Sequence, residues 1–178
     1  MPAMMGGEKL QAKLKDIAAK SATATRVNVG FLEGATYPDG TSVPMVAAIQ
    51  EFGAPKAGIP PRPYFRNMVA AKKTTWPKAV ADLMKANDYD TAKTLGQVGE
   101  GIKGQLEQSI VDTSEPPLSP VTLMLRKMRA EDTSLVVTGS TVGEAARRVA
   151  EGEGTGGVST KPLVDTGVLL NRVGYEVK

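Results

Sequence analysis

Three groups of residues have types and spacing that could support chemistry. Gly152-Glu153-Gly154-Thr155-Gly156-Gly157 has the glycine density of a phosphate-cradling loop. It lacks the Gly-Lys-Ser/Thr ending that would reach a phosphate and its magnesium, so the reading favoured is a flexible surface loop. Glu131-Asp132, and Glu151 with Glu153, offer carboxylates to a cation. Neither pair has the acidic-loop spacing of a calcium site, and solvated charge is the plainer reading. Arg126, Lys127 and Arg129 lie on one predicted helix, with Arg147-Arg148 on another. They could line a DNA channel through phosphate contacts; an ordinary helix face or salt bridges to neighbouring groups is the favoured alternative.

Two absences narrow the chemistry further. The 178-residue chain has no Cys and no His. That removes disulfide scaffolds, zinc sites built on Cys or His, and Ser-His-Asp or Cys-His nucleophiles. Catalysis would have to rest on carboxylates, Lys, Tyr or a hard metal, and no paired-carboxylate motif is visible. The expectation is therefore a non-enzyme with no cofactor and no metal. The net charge of +3 is spread along the chain with both signs mixed, which does not suggest sequence-specific nucleic-acid reading. No apolar run approaches the ~20 residues needed to span a bilayer, and the first residues lack a signal-peptide pattern. A cytoplasmic place of synthesis and no membrane partner are expected. The hydrophobic fraction is 41% but aromatics are only 4%. Such a core is thin, which suggests that part of the burial happens between subunits.

These residues sit on elements that the patterning predicts. A helix over Gly7 to Lys20 carries a narrow stripe of Leu10, Leu14 and Ile17, suited to a surface or a neighbour. Val27, Val29 and Phe31 alternate as a half-buried strand, and Tyr37-Pro38-Asp39-Gly40 is a turn. A short helix from Pro44 to Phe52 should stop at Gly53, and a stiff proline-rich loop follows to Pro63. A helix from Tyr64 to Ala86 should kink or break at Trp76-Pro77, with Thr75 as cap. The strongest helix is Thr91 to Asp112, with Leu95, Val98, Ile102, Leu106 and Ile110 on its stripe. Its glycines Gly96, Gly99, Gly101 and Gly104 cost helix stability and imply close approach by another backbone. Ser119 should cap a helix from Pro120 to Arg129. Leu135 to Thr138 reads as a strand, and Thr141-Val142-Gly143-Glu144 as a capping box opening a helix to Glu151. Asp165 or Thr166 should cap a short helical turn. Val173, Tyr175 and Val177 form a last strand able to pair with the first.

The predicted architecture is a single α+β domain over residues 1–178. It has a small, mostly antiparallel sheet, helices on one face, and extended Pro/Gly-rich loops. Residues 1–24 form an N-terminal helix or arm, and 131–160 an inserted hairpin or loop region.

Two pairs of segments join rigid proline-bearing loops to helix ends. One pair is Ala47-Ala48-Ile49-Gln50-Glu51-Phe52-Gly53 and Ile59-Pro60-Pro61-Arg62-Pro63-Tyr64-Phe65-Arg66. The other is Pro117-Leu118-Ser119-Pro120-Val121-Thr122 and Lys161-Pro162-Leu163-Val164-Asp165-Thr166-Gly167-Val168-Leu169. They hold no nucleophile–base pair and look suited to fixing loops in shape for docking. In their order and content they resemble a family of tailed-phage neck and tail-completion (head–tail joining) proteins. Gln50 stands where the family often has His, Asn171-Arg172-Val173 replaces its usual Ser-Ile pair, and the stretch from Glu131 to Ser159 is longer.

The resemblance implies a structural virion protein, assembled in the host cytoplasm, that forms a six- or twelve-fold cyclic ring with itself. It also implies neighbouring head-completion or connector and tail-terminator proteins, and non-specific contact with DNA in the channel. The subunit interface expected from it comprises Glu51, Phe52, Gly53, Pro61, Arg62, Pro63, Phe65, Asp165, Thr166 and Gly167. Arg126, Lys127 and Arg129 are the channel candidates. The alternatives are a tail terminator or tail-tube-end protein, a DNA-binding accessory protein, and a carboxylate-dependent hydrolase.

Overall fold

The computed structural model describes residues 7–178. In chain order the elements are α1 (Gly7–Ser21), β1 (Val27–Phe31), α2 (Val43–Phe52), α3 (Tyr64–Lys72), α4 (Trp76–Ala86), α5 (Thr91–Asp112), α6 (Pro120–Glu131), α7 (Gly139–Ala150), α8 (Val168–Asn171) and β2 (Val173–Val177). The fold is α+β. The two strands, 142 residues apart at their nearest ends (173 − 31), pair antiparallel with Val29 opposite Tyr175. The first-with-last strand pairing expected from the alternation is present.

α5 is the spine. Asp90 caps it, its carboxylate accepting from the Lys93 amide at 3.0 Å. Its buried face carries Thr94, Val98, Gly99, Leu106 and Ile110 and lies against both strands and α3. The main core joins Leu106 and Ile110 to Val43 and Ala47 of α2, Tyr64 and Met68 of α3, and Leu163, Leu169 and Val173 near the C-terminus. Tyr64 is anchored at three points. Its hydroxyl donates to the Ala47 carbonyl at 3.1 Å, its own carbonyl accepts from Ser109 at 2.7 Å, and its ring meets Phe31 edge-on. A second, smaller cluster joins Met124 and Met128 of α6 to Ala145 of α7.

α1 behaves as its narrow stripe predicts. No residue of it is buried, and Leu10 and Leu14 face solvent. Polar contacts hold it: Lys13 and Lys20 both donate to Asp88, at 2.7 and 2.8 Å, and lower that carboxyl to about 2.

Several expectations need correction. The helix predicted from Tyr64 to Ala86 does break at Trp76-Pro77, but Thr75 does not cap α4. Its hydroxyl instead donates back to the Lys72 carbonyl at 2.8 Å. Leu135 to Thr138 is not a strand. It has no partner among the described residues, and Leu135 is drawn into the α6–α7 cluster instead. The region 131–160 therefore contains a helix between two loops, α7 folding back on α6, rather than a β-hairpin.

The capping box of α7 lies three residues earlier than predicted, between Thr138 and Thr141. Glu144 is used differently: Arg147 and then Arg148 hydrogen-bond its carboxylate and hold its pKa down to about 2. Neither Asp165 nor Thr166 caps α8. Gly167, in the left-handed conformation at φ 75°, takes that place.

The glycines of α5 divide into two kinds. A Cβ on Gly99 would lie 2.6 Å from Tyr175 Cδ2 and 2.8 Å from Val27 Cγ2, so this glycine lets the sheet sit on the helix. What approaches is side chain, not the backbone that was expected. Gly96, Gly101 and Gly104 meet nothing within 4 Å. Opposite effects follow in denaturant melts of the isolated chain. Gly99→Ala should destabilise by about 1–3 kcal/mol through overpacking. Gly101→Ala and Gly104→Ala should each stabilise by about 0.5–1 kcal/mol, the helix-propensity gain alone.

Candidate functional site

The four segments meet in space, and two arginines with buried side chains join them. The first junction is built on α2 and the loop after it. Gly53 ends α2 at φ 77°, where the chain turns so tightly that a Cβ would sit 2.8 Å from the Pro61 nitrogen and 2.9 Å from the Ile59 carbonyl oxygen. Only glycine fits. The returning loop brings Arg62 under α2. Arg62 is 5% exposed; its Nε donates to the Pro116 carbonyl at 3.0 Å, and its two terminal nitrogens to Gln50 Oε1 at 3.2 Å and the Pro117 carbonyl at 3.4 Å. One guanidinium thus binds the end of the first segment to the start of the third. Burial, then the charge of nearby Arg126, lowers its pKa.

Glu51 holds the other side of the same turn. It is 5% exposed. Its carboxylate accepts from the Phe65 and Arg66 amides at 2.9 and 3.2 Å and from Arg66 Nε at 2.7 Å. Those amides are the open donors at the start of α3, where Pro63 provides no side-chain cap. The carboxylate of one helix therefore caps the next and opposes the positive end of its dipole.

The second junction is Arg126 on α6. Its side chain is 8% exposed. One terminal nitrogen donates to the carbonyls of Ser159 and Lys161 at 2.7 and 2.9 Å, and the other to that of Pro162 at 3.3 Å; Nε lies 3.4 Å from Asp165. It grips the fourth segment by its backbone. Gln50 lies between the junctions. It lines a cavity of about 160 Å³ with Arg126, Asp165 and Thr166, and also a cleft of about 580 Å³ with Arg62 and Ser119.

These positions revise what was expected of the sites. Of the interface candidates, Glu51 and Arg62 are buried and occupied within the chain, Asp165 pairs with Arg126 and Arg129, and Gly53, Pro63, Phe65 and Gly167 are half-buried. Pro61, Thr166 and Phe52 are exposed. Phe52 stands out at 64% exposure, with the Arg66 guanidinium 5.0 Å from its ring centre.

The DNA-channel alternative placed Arg126, Lys127 and Arg129 together on an open face. Arg126 is instead spent on carbonyls, Lys127 binds Glu153 at 2.8 Å and Arg129 reaches Asp165 at 3.3 Å. Arg147 and Arg148 pair with Glu144, the latter at 2.9 Å. Of the carboxylates weighed as cation ligands, Glu131, Glu151 and Glu153 pair with these same bases, while Asp132 accepts from the Ser134 amide and hydroxyl. Among the described residues no group of three or more acidic side chains is placed to hold a metal ion, and no helix is long and apolar enough to cross a membrane. The Gly152–Gly157 loop is tied to α6, Lys127 donating to the Gly154 carbonyl at 3.0 Å.

One surface goes beyond the expected sites, of which it contains only Phe52 among its outward residues. α2 is apolar on every side: Val43, Pro44, Met45, Val46, Ala47, Ala48 and Ile49 run unbroken. One side is core, while Met45, Ala48 and Phe52 face outward. A helix that is apolar all round belongs inside something. That run was the available signal. The outer face borders an apolar cleft of about 300 Å³ walled by Phe31, Pro44, Phe52 and Phe65.

No family model, no curated protein and no solved structure matches this chain.

The first junction gives a direct test. Arg62→Ala should lower unfolding stability by about 2–4 kcal/mol, since it strands two proline carbonyls and Gln50. Arg62→Lys should recover less than half of the loss, because an ammonium cannot reproduce the planar fork. Equal stability of wild type and Arg62→Ala in urea melts would contradict the junction.

Proposed function

We propose that this chain is a structural subunit of a tailed-phage virion, forming a cyclic ring at the neck where the DNA-filled head meets the tail. The observation that carries this reading is the convergence of the four segments underlying the family resemblance. They span residues 47–169 yet are bound to one another through Arg62 and Arg126. What the convergence builds is a set of loops held rigid by backbone-directed hydrogen bonds. Its polar groups are engaged with each other, as in a docking surface, rather than arranged as nucleophile and base.

A second feature agrees. The apolar outer face of α2 calls for a cover, and in a ring of identical subunits each copy offers a different patch to the next. The partners in this reading are further copies of the chain in six- or twelve-fold symmetry, with a connector protein on the head side and a terminator protein on the tail side. DNA passes through the ring without being read. The protein is a virion component assembled in the host cytoplasm, and it carries out no reaction.

Deletion of the gene, followed by electron microscopy of the lysate, tests this role. Filled heads and finished tails lying apart are expected. Overlong tails, or empty heads alone, would assign the protein to another station of the particle. Normal virions would end the proposal.

A further inference from the structure

The two-stranded sheet is unfinished. Arg26 and Lys178 exchange backbone hydrogen bonds of 3.0 and 2.9 Å. With Val29 opposite Tyr175, alternation puts the bonded pairs at Asn28–Glu176 and Gly30–Gly174. The amides and carbonyls of Val27, Val29 and Phe31 therefore point away from β2. Among the described residues nothing bonds to them. Two strands alone are marginal in water, and an open edge accepts a further strand. This edge ends at Phe31, which is also a wall of the apolar cleft shared with Phe52 and Phe65.

The same chain carries a segment of the complementary kind. Leu135-Val136-Val137-Thr138 reads as a strand but pairs with no other strand among the described residues. Its bonds are local, the Leu135 amide donating to the Asp132 carbonyl at 3.1 Å, the Thr138 amide to the Thr141 hydroxyl at 2.7 Å and that hydroxyl to the Val136 carbonyl at 3.2 Å. Leu135 is anchored in the α6–α7 cluster, while Val136 is 70% exposed and Val137 lies beside it in solvent. Neither valine amide has a partner among the described residues. Thr138 is extended, at φ −130° and ψ 172°, and the α7 cap holds it there. The four residues are β-prone and uncharged, as are Val27, Val29 and Phe31 on the open edge.

We infer that Leu135–Thr138 of one subunit adds as a third strand to the β1 edge of the next, seating Val136 in the Phe31–Phe52–Phe65 cleft. Main-chain hydrogen bonds supply affinity and the seated valine fixes register, as in other strand-addition interfaces. The occupant is a second copy because donor and acceptor are different surfaces of one chain. Such a head-to-tail contact repeats around a ring. The inference rests on the ring reading and specifies its joint. It also gives the long 131–160 region a role, since that region carries the donor.

Val136→Asp removes the donor side chain, and Phe52→Asp places a charge at the mouth of the acceptor. Both residues are exposed in the single chain, so both variants should keep a folded, helix-dominated circular dichroism spectrum and a cooperative melt, with the melting temperature lowered only by what the lost subunit contact contributes. In sedimentation velocity the wild type should run as a closed oligomer and each variant as a monomer. An equimolar mixture of the two should stop at heterodimers, because only one intact donor meets one intact acceptor. Variants that assemble like a wild-type ring, or a mixture that stays monomeric, would overturn the strand addition and leave the ring standing. A wild type that stays monomeric at its highest soluble concentration would overturn both.

Discussion

The structure depends on one buried carboxylate. Glu51 ends α2 and caps α3, taking the two amides that Pro63 leaves open. Burying a carboxylate is costly unless it is paired and hydrogen-bonded, and here two amides and a guanidinium donate to it. The bond fixes the angle between two core helices and closes the loop between them. It also decides which way the neighbouring residue points: with Glu51 turned under the loop, Phe52 turns outward. The exposed aromatic at the proposed joint is a consequence of the buried acid beside it.

From that anchor the polar contacts spread outward in steps. Arg62 leaves the same loop and binds the carbonyls at the end of the α5–α6 connection. α6 then carries Arg126, which binds the carbonyls of the segment leading to α8. Two guanidinium groups, each bonded mainly to backbone, thus tie the α6–α7 unit to the main core. That unit has only a small cluster of its own, around Met124, Met128 and Ala145. Fixing loops by carbonyl-directed arginines leaves their outer surfaces free to vary while the paths stay fixed.

Much of this was legible in the sequence, and the failures have a common cause. The approximate bounds of α1, α2, α5 and α6 followed from local signals, among them Ser119 as a cap, Pro44 and Pro120 in first turns and Gly53 as a stop. The alternation of Val27–Phe31 and Val173–Val177 gave both strands and their pairing. The errors arose where a side chain had a distant partner that local spacing does not reveal. Local spacing offers Asp165 or Thr166 as a cap, but Asp165 pairs with Arg126 on α6. Arg126 was grouped with Lys127 and Arg129 by helix position, yet burial separates it from an open basic face. Their motif puts Glu51 and Arg62 at an interface, but both are buried and bonded within the chain. Leu135–Thr138 has the composition of a strand, and no partner within the described chain satisfies it.

The central proposal is a ring of these chains whose joint is the outer face of α2. An electron cryomicroscopy map of the purified protein's own assembly tests that most directly. It should show a closed ring of fixed copy number in which Met45, Ala48 and Phe52 of every subunit are covered by the next. A ring that leaves this face in solvent, or particles with no cyclic order, would contradict it.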